Sequence, residues 1–225
     1  MACWYAPNSS DLLLPPSTAL ILLYRSSEPT ISLSAFALLF SEMVQYHQNR
    51  VDSISELERR LEASGYGVGL RVLELLAYRS REYKRETKLM NLLQFISTQV
   101  WKSLFSKAAD SLERSIDHAD EFMIVDYSPI TSTFVSVPAD FGGLSVDSYL
   151  SGIIAGILEG AGFPARVTAH SVALEEGETA PVAPAGGSNP ALAGDYAHLL
   201  PPRKEKTVFL VKFAQSVLAR DSQMN

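Results

Sequence analysis

Nucleophilic or acid–base chemistry needs a reactive side chain within reach of a base, and this sequence offers few such groups. Its densest polar cluster is Asp117, His118, Asp120 and Glu121. Imidazole and carboxylate ligands at that spacing could hold a metal ion. No second ligand group is indicated elsewhere, so the cluster reads as a solvated connector between a helix and the first strand. The one cysteine, Cys3, has no histidine near it in sequence. It excludes an internal disulfide and a cysteine-based zinc site, and it suits a reducing compartment. His47 ends an apolar helix, His170 falls on a strand and His198 in a loop, and each reads as structural or solvated. There is no G-x-S-x-G elbow and no H-E-x-x-H. Gly65, Gly67 and Gly69 imitate a phosphate loop, but no Gly-Lys-Ser/Thr follows and no strand precedes them. They mark a helix interruption or close packing. No catalytic, cofactor-binding or metal residue is expected.

With no reactive centre, the apolar pattern carries the information. Ser32–Arg50 reads as a helix with Leu33, Phe36, Ala37, Phe40, Val44 and His47 on one face. Ala35, Leu38, Leu39 and Met43 extend the apolar surface round most of the circumference, so this helix must be buried on two sides. Full burial of one large apolar side chain is worth about 1.5–3 kcal/mol. Leaving three or four exposed would forfeit roughly 5–10 kcal/mol, comparable to a domain's whole stability. The pattern therefore predicts an interface with another chain.

Ser53 and Glu56 form a capping box at the start of a second helix, Ser53–Arg79, with Ile54, Leu57 and Leu61 in one stripe. Thr87–Lys107 is a third helix, and Ala108–Ser115 adds a short one. Phe122–Tyr127 and Ile130–Val137 then read as strands joined by a Ser128-Pro129 turn. Ser145 can cap a helix running to about Gly162, with Asp147 near its positive end and Pro164 stopping it. Gly152, Gly156 and Gly160 line one face of that helix and let it lie close to the sheet. Ala165–Val172 and Thr207–Phe213 are two further strands. This order predicts an α+β fold: an antiparallel sheet with helices packed on one side.

The chain has 225 residues, a formal charge of −6 and 47% hydrophobic residues, which suits one core of a non-membrane protein. An acidic chain is a poor general nucleic-acid binder. No segment has the roughly 18–20 apolar residues of a membrane span. Residues 1–30 read as a tail or arm, 31–221 as a single domain, 174–205 as a mobile insertion and 222–225 as a C-terminal tail. Charge is uneven, with +4 over residues 71–115 and −10 over 116–202. Such asymmetry favours oriented association with charged partners. The basic run YKRETK carries interleaved glutamates, which suits an acidic protein partner or an anionic membrane surface better than nucleic acid.

Five blocks carry a resemblance: SLSAFALLFSE (Ser32–Glu42), YKRETK (Tyr83–Lys88), VWKSLFSKAADSLE (Val100–Glu113), SGIIAGILEGAGFPARVTAH (Ser151–His170) and VLARD (Val217–Asp221). Together they resemble the subunit 5 family of the transport protein particle (TRAPP), a vesicle-tethering complex. The resemblance implies a four-stranded antiparallel sheet and a helical dimerisation face. It implies assembly through that face with a paralogous subunit of the subunit 3 type, and a neighbouring longin-like subunit of the subunit 2 type. Candidate partner-facing residues are Phe36, Leu39, Phe40 and Met43, with Leu57 and Leu61 on the second helix. The resemblance further implies a non-catalytic role in a nucleotide exchange factor for a Rab GTPase. That role belongs to transport from endoplasmic reticulum to Golgi, later Golgi traffic and autophagy, at the cytoplasmic surface of endoplasmic reticulum and cis-Golgi membranes. A paralogous subunit of this fold carries an acylated cysteine in a hydrophobic channel. Cys3 matches no such position, so no buried acyl chain is expected here. The 174–205 insertion is absent from the family pattern. The alternative is a small-ligand-binding module of the same fold superfamily, which would need an enclosed pocket with a ligating His or Cys.

Overall fold

The computed structural model describes residues 31–80, 85–133, 135, 137, 143–174 and 205–223. The proposed arm (1–30), most of the 174–205 insertion, His198 and Cys3 lie outside these residues. Residues 1–39 and 40–225 form two compact units. Of the first, only residues 31–39 are described, and they hold the start of helix α1 (Leu33–Gln48). The second unit holds the sheet, the remaining helices and the core.

Helix α2 (Ile54–Arg79) begins at the expected cap: Ser53 Oγ accepts the Glu56 backbone N–H at 3.3 Å. It runs unbroken through Gly65, Gly67 and Gly69. Helix α6 (Ser148–Gly160) lies against it, and glycines make the approach possible. A Cβ on Gly65 would sit 2.0 Å from the Tyr149 carbonyl oxygen, and one on Gly69 2.2 Å from that of Ile153. Reciprocally, a Cβ on Gly152 would sit 2.0 Å from Glu62 O and one on Gly156 2.3 Å from Tyr66 O. The α6 glycines thus face a helix, not the sheet as the sequence suggested. Only a residue without a Cβ permits this backbone contact. The opposite face of α6, with Ile154, Ile157 and Leu158, joins the buried core shared with Ile124, Val167, Phe209 and Val211 of the sheet.

The sheet has four antiparallel strands in the order β1-β2-β4-β3: β1 (Ser111–Arg114), β2 (Glu121–Asp126), β3 (Ala165–Ala173) and β4 (Glu205–Phe213). The α+β fold and strand number match the sequence reading, but one strand is reassigned. Ala108–Ser115 is not a helix. Ser111–Arg114 pairs with Val125–Phe122 as the edge strand β1, and the Asp110 N–H donates to Val125 O at 3.0 Å. Conversely, the expected strand at Ile130–Val137 begins as a helical turn, α5 (Ile130–Thr133). Pro129 favours the first helical turn, and the Ser132 and Thr133 hydroxyls donate to its carbonyl at 3.3 and 2.9 Å. That local bonding overrides the strand preference of the Ile/Thr run.

The third helix bends its rules midway. It runs as α3 (Leu89–Phe95), widens into a π turn over Ile96–Val100 and resumes as α4 (Trp101–Phe105). The wider turn leaves the Ser97 carbonyl to accept the Ala109 N–H at 2.8 Å. Trp101, fully buried, donates its indole N–H to Asp126 Oδ2 at 3.0 Å. Lys107 Nζ reaches Asp126 Oδ1 at 2.5 Å, and the Ser128 N–H donates to the same oxygen at 2.9 Å. A second buried carboxylate, Asp147, sits at the N-cap of α6 and accepts hydroxyl bonds from Thr131 at 2.5 Å and Thr207 at 2.7 Å. Both carboxylates are saturated with donors and pin loops to the sheet. Helix α7 (Gln215–Gln223) closes the fold, with Val217 in the core and Asp221 Oδ1 accepting the Leu89 N–H at 2.9 Å.

Candidate partner-binding surface

Ser32 starts α1 by accepting the Ala35 N–H on its hydroxyl at 3.2 Å. A helix of this apolar density presents more large side chains than one core face can take. Phe40 (4% exposed) and Val44 are buried, and the Phe40 ring meets Tyr149 edge to face at 5.5 Å. Leu38 and Leu39 are 73% and 71% exposed, and Tyr46 also stands in solvent. Phe36 and Met43 are half-buried. Spacing of three and four residues places Phe36, Leu39, Met43 and Tyr46 along one stripe of α1, the pattern a partner helix reads. Arg50 stacks its guanidinium over the Tyr46 ring at 3.5 Å and donates to the Tyr46 carbonyl at 2.9 Å, fixing the lower end of that stripe.

The six candidate residues therefore separate. Leu57 (1% exposed) and Leu61 (0%) belong to this chain's own interior, as does Phe40. In the structure of the isolated chain these side chains pack inside the fold. Leu39 stands outermost, with Phe36 and Met43 beside it. Tyr46, which the sequence reading passed over, extends the stripe. Its signal was present in the seven-residue step from Leu39.

His47 closes α1 against α2. Its Nε2 lies 3.2 Å from Ser64 Oγ, while its buried Nδ1 has no hydrogen-bond partner among the described residues. Burial, then the nearby Arg60 and Arg50 charges, push its pKa below the ordinary 6.5. As pH falls, the unfolded chain takes up this proton first. The stability held by the neutral ring is present above pH 6.5 and is lost as pH drops through the lower folded value. Thermal unfolding should fall between about pH 7.5 and pH 5 in the parent, and less steeply in His47→Gln, which keeps a group for Ser64. Equal slopes in the two proteins would contradict this.

Among the described residues, one group of His, Asp and Glu side chains lies close enough together to hold a metal ion. In His118, Asp120 and Glu121, one ligand atom from each lies within 4.8 Å of the others, where the turn after β1 enters β2. Lys212 Nζ already occupies that turn, 2.8 Å from Glu121 Oε1 and 3.8 Å from Asp120 Oδ2. The Glu121 hydrogen bond and the two negative charges raise the Lys212 pKa, keeping the ammonium in place. Asp117 takes no part in the group. His170 is exposed on β3 beside the Thr168 hydroxyl at 2.8 Å. Among the described residues no helix is long and apolar enough to cross a membrane.

The family profile described as "Transport protein particle (TRAPP) component" matches residues 36–182, which includes most of α1 and all of α2 and α6. The chain belongs to the TRAPP family. Its relatives include the Dictyostelium discoideum protein named "Trafficking protein particle complex subunit 5", 45% identical over 85% of this chain and 90% of that one. The human protein of the same name is 49% identical over 62% of this chain and 74% of that one. The fold is shared with a solved TRAPP subunit 3 from Naegleria fowleri covalently bound to palmitic acid, with TM-score 0.55 and 18% identity, covering 80% of this chain and 95% of that one. This TRAPP chain has a single thiol, Cys3, so none of its described elements can carry a cysteine-linked acyl group.

Proposed function

We propose that the chain is a subunit 5-type component of a TRAPP vesicle-tethering particle, attached to a paralogous subunit of the subunit 3 type through the outer stripe of α1. The observation that carries this reading is the 45% identity to the Dictyostelium subunit 5 across 90% of that protein. The stripe supports the mode of attachment. Leu39 would gain about 1.5–3 kcal/mol on burial, which is a driving force for a lasting helix-to-helix interface. A longin-like subunit of the subunit 2 type is its second neighbour.

In this reading the chain performs no covalent chemistry. The assembled particle opens the nucleotide site of a Rab GTPase, and this subunit supplies rigid scaffold at endoplasmic reticulum and cis-Golgi membranes and in related Golgi and autophagy traffic. It buries no acyl chain, because its only cysteine precedes the domain. The test is isolation of the tagged chain from its own cells at endogenous level, followed by identification of co-purifying chains. TRAPP subunits in fixed ratio to the bait, with Rab nucleotide exchange activity in the eluate, are expected. Recovery of the chain alone, or with unrelated partners in fixed ratio, would contradict the proposal.

A further inference from the structure

The chain reverses direction after α6, and two arginines bracket the turn. Gly162 there has φ +88°, and a Cβ on it would lie 2.7 Å from Arg85 Nη2, so glycine at this turn makes room for the guanidinium. Arg85 Nη2 donates to the Ala161 carbonyl at 3.2 Å, and Arg220 Nη2 donates to the Gly162 carbonyl. The Arg220 guanidinium also lies over the ring of buried Phe163, 4.9 Å from its centroid. Between them opens a cavity of about 150 Å³, lined by Arg85, Glu86, Thr87, Phe163 and Arg220. Each guanidinium carries five N–H donors in a planar fork, and the contacts above use one from each. Neither arginine has a carboxylate partner among the described residues.

The geometry points to a site for one acidic side chain of a partner protein, with its carboxylate between Arg85 and Arg220 and its methylenes on Phe163. Charge complementarity selects the ligand. Two cations converge, and Glu86 lines the same cavity. One negative charge beside two positive ones leaves a net single positive charge, which matches a monoanion better than a doubly charged phosphate. The planar fork matches a carboxylate through two parallel hydrogen bonds. The apolar floor fits the stem of a glutamate better than a fully hydrated inorganic ion. This site is separate from the α1 stripe and does not depend on the subunit 5 reading.

The experiment titrates the full chain with the peptide acetyl-Gly-Glu-Gly-amide and, in parallel, with its Gln counterpart and with inorganic phosphate. The arginine side-chain N–H resonances report binding. The Glu peptide should shift the Arg85 and Arg220 signals together, the Gln peptide and phosphate at least tenfold less. The variants Arg85→Gln and Arg220→Gln remove the charged fork and keep a polar side chain at each exposed position. Each should fold with the parent's melting temperature and bind the Glu peptide at least tenfold more weakly. No shift, equal shifts with the Gln peptide, a stronger response to phosphate, or unchanged binding by both variants would each overturn the proposal.

Discussion

Gly152→Val is expected to destabilise the fold by about 3 kcal/mol or more, at the upper end of overpacking penalties. The new Cβ would meet Glu62 O at 2.0 Å, with the Glu62 carbonyl carbon and Cα at 2.8 and 2.9 Å. All three are backbone atoms of α2, so no rotamer change relieves the clash. The two helices must separate, and separation also opens the reciprocal contacts at Gly65, Gly69 and Gly156. Gly67 is the internal control. It lies in α2 between Gly65 and Gly69, but a Cβ there meets nothing within 4 Å. Gly67→Ala should stabilise by roughly 0.5–1 kcal/mol through helix propensity and unfolded-state entropy. Urea midpoints of the two variants should therefore move in opposite directions. Parent-like stability in Gly152→Val would show that α2 and α6 are not in backbone contact.

The second large effect concerns binding rather than folding. Leu39→Asp places a charge on a side chain that is 71% exposed in the isolated chain, so stability should change by less than about 0.5 kcal/mol. In the assembled particle the same charge would be buried against an apolar partner surface. The expected loss is about 2–4 kcal/mol, roughly 30- to 1,000-fold in affinity for the paralogous subunit. Phe40→Asp is the informative contrast. Phe40 packs on Tyr149 inside this chain, so its replacement should lower the melting temperature before any partner is present. A loss of complex in that variant would report on folding, not on the interface. Leu39→Asp with undiminished affinity would remove α1's outer stripe from the account.

The two neighbouring residues show what a sequence can and cannot specify here. Helical spacing made it legible that α1 carries more apolar side chains than one face can bury. Periodicity alone could not say whether Leu39 or Phe40 faces inward, because a helix apolar nearly all round has no polar side to set its phase. Tyr149 settles it by offering Phe40 an edge-to-face contact. The capping box at Ser53 and Glu56 was readable because all its bonds are local. The glycines of α2 and α6 were visible as unusual, but their mutual contact was not. It depends on two helices about ninety residues apart in sequence meeting backbone to backbone. Strand β1 was hidden for a related reason. Four residues are too few to show alternation, and the partner that defines them, Phe122–Val125, comes later in the chain. The Arg85–Arg220 cavity likewise joins a connector to the last helix, a pairing no local motif announces.

The claim that this TRAPP chain joins its particle through the outer stripe of α1 can be read directly by placing a photocrosslinking p-benzoylphenylalanine at position 39 in the assembled particle. One dominant crosslink is expected, to a helix of a paralogous TRAPP subunit, with residue 48 on the same helix giving little. Crosslinks from position 39 only to solvent-quenched product, to this chain itself, or to a protein outside the particle would contradict it.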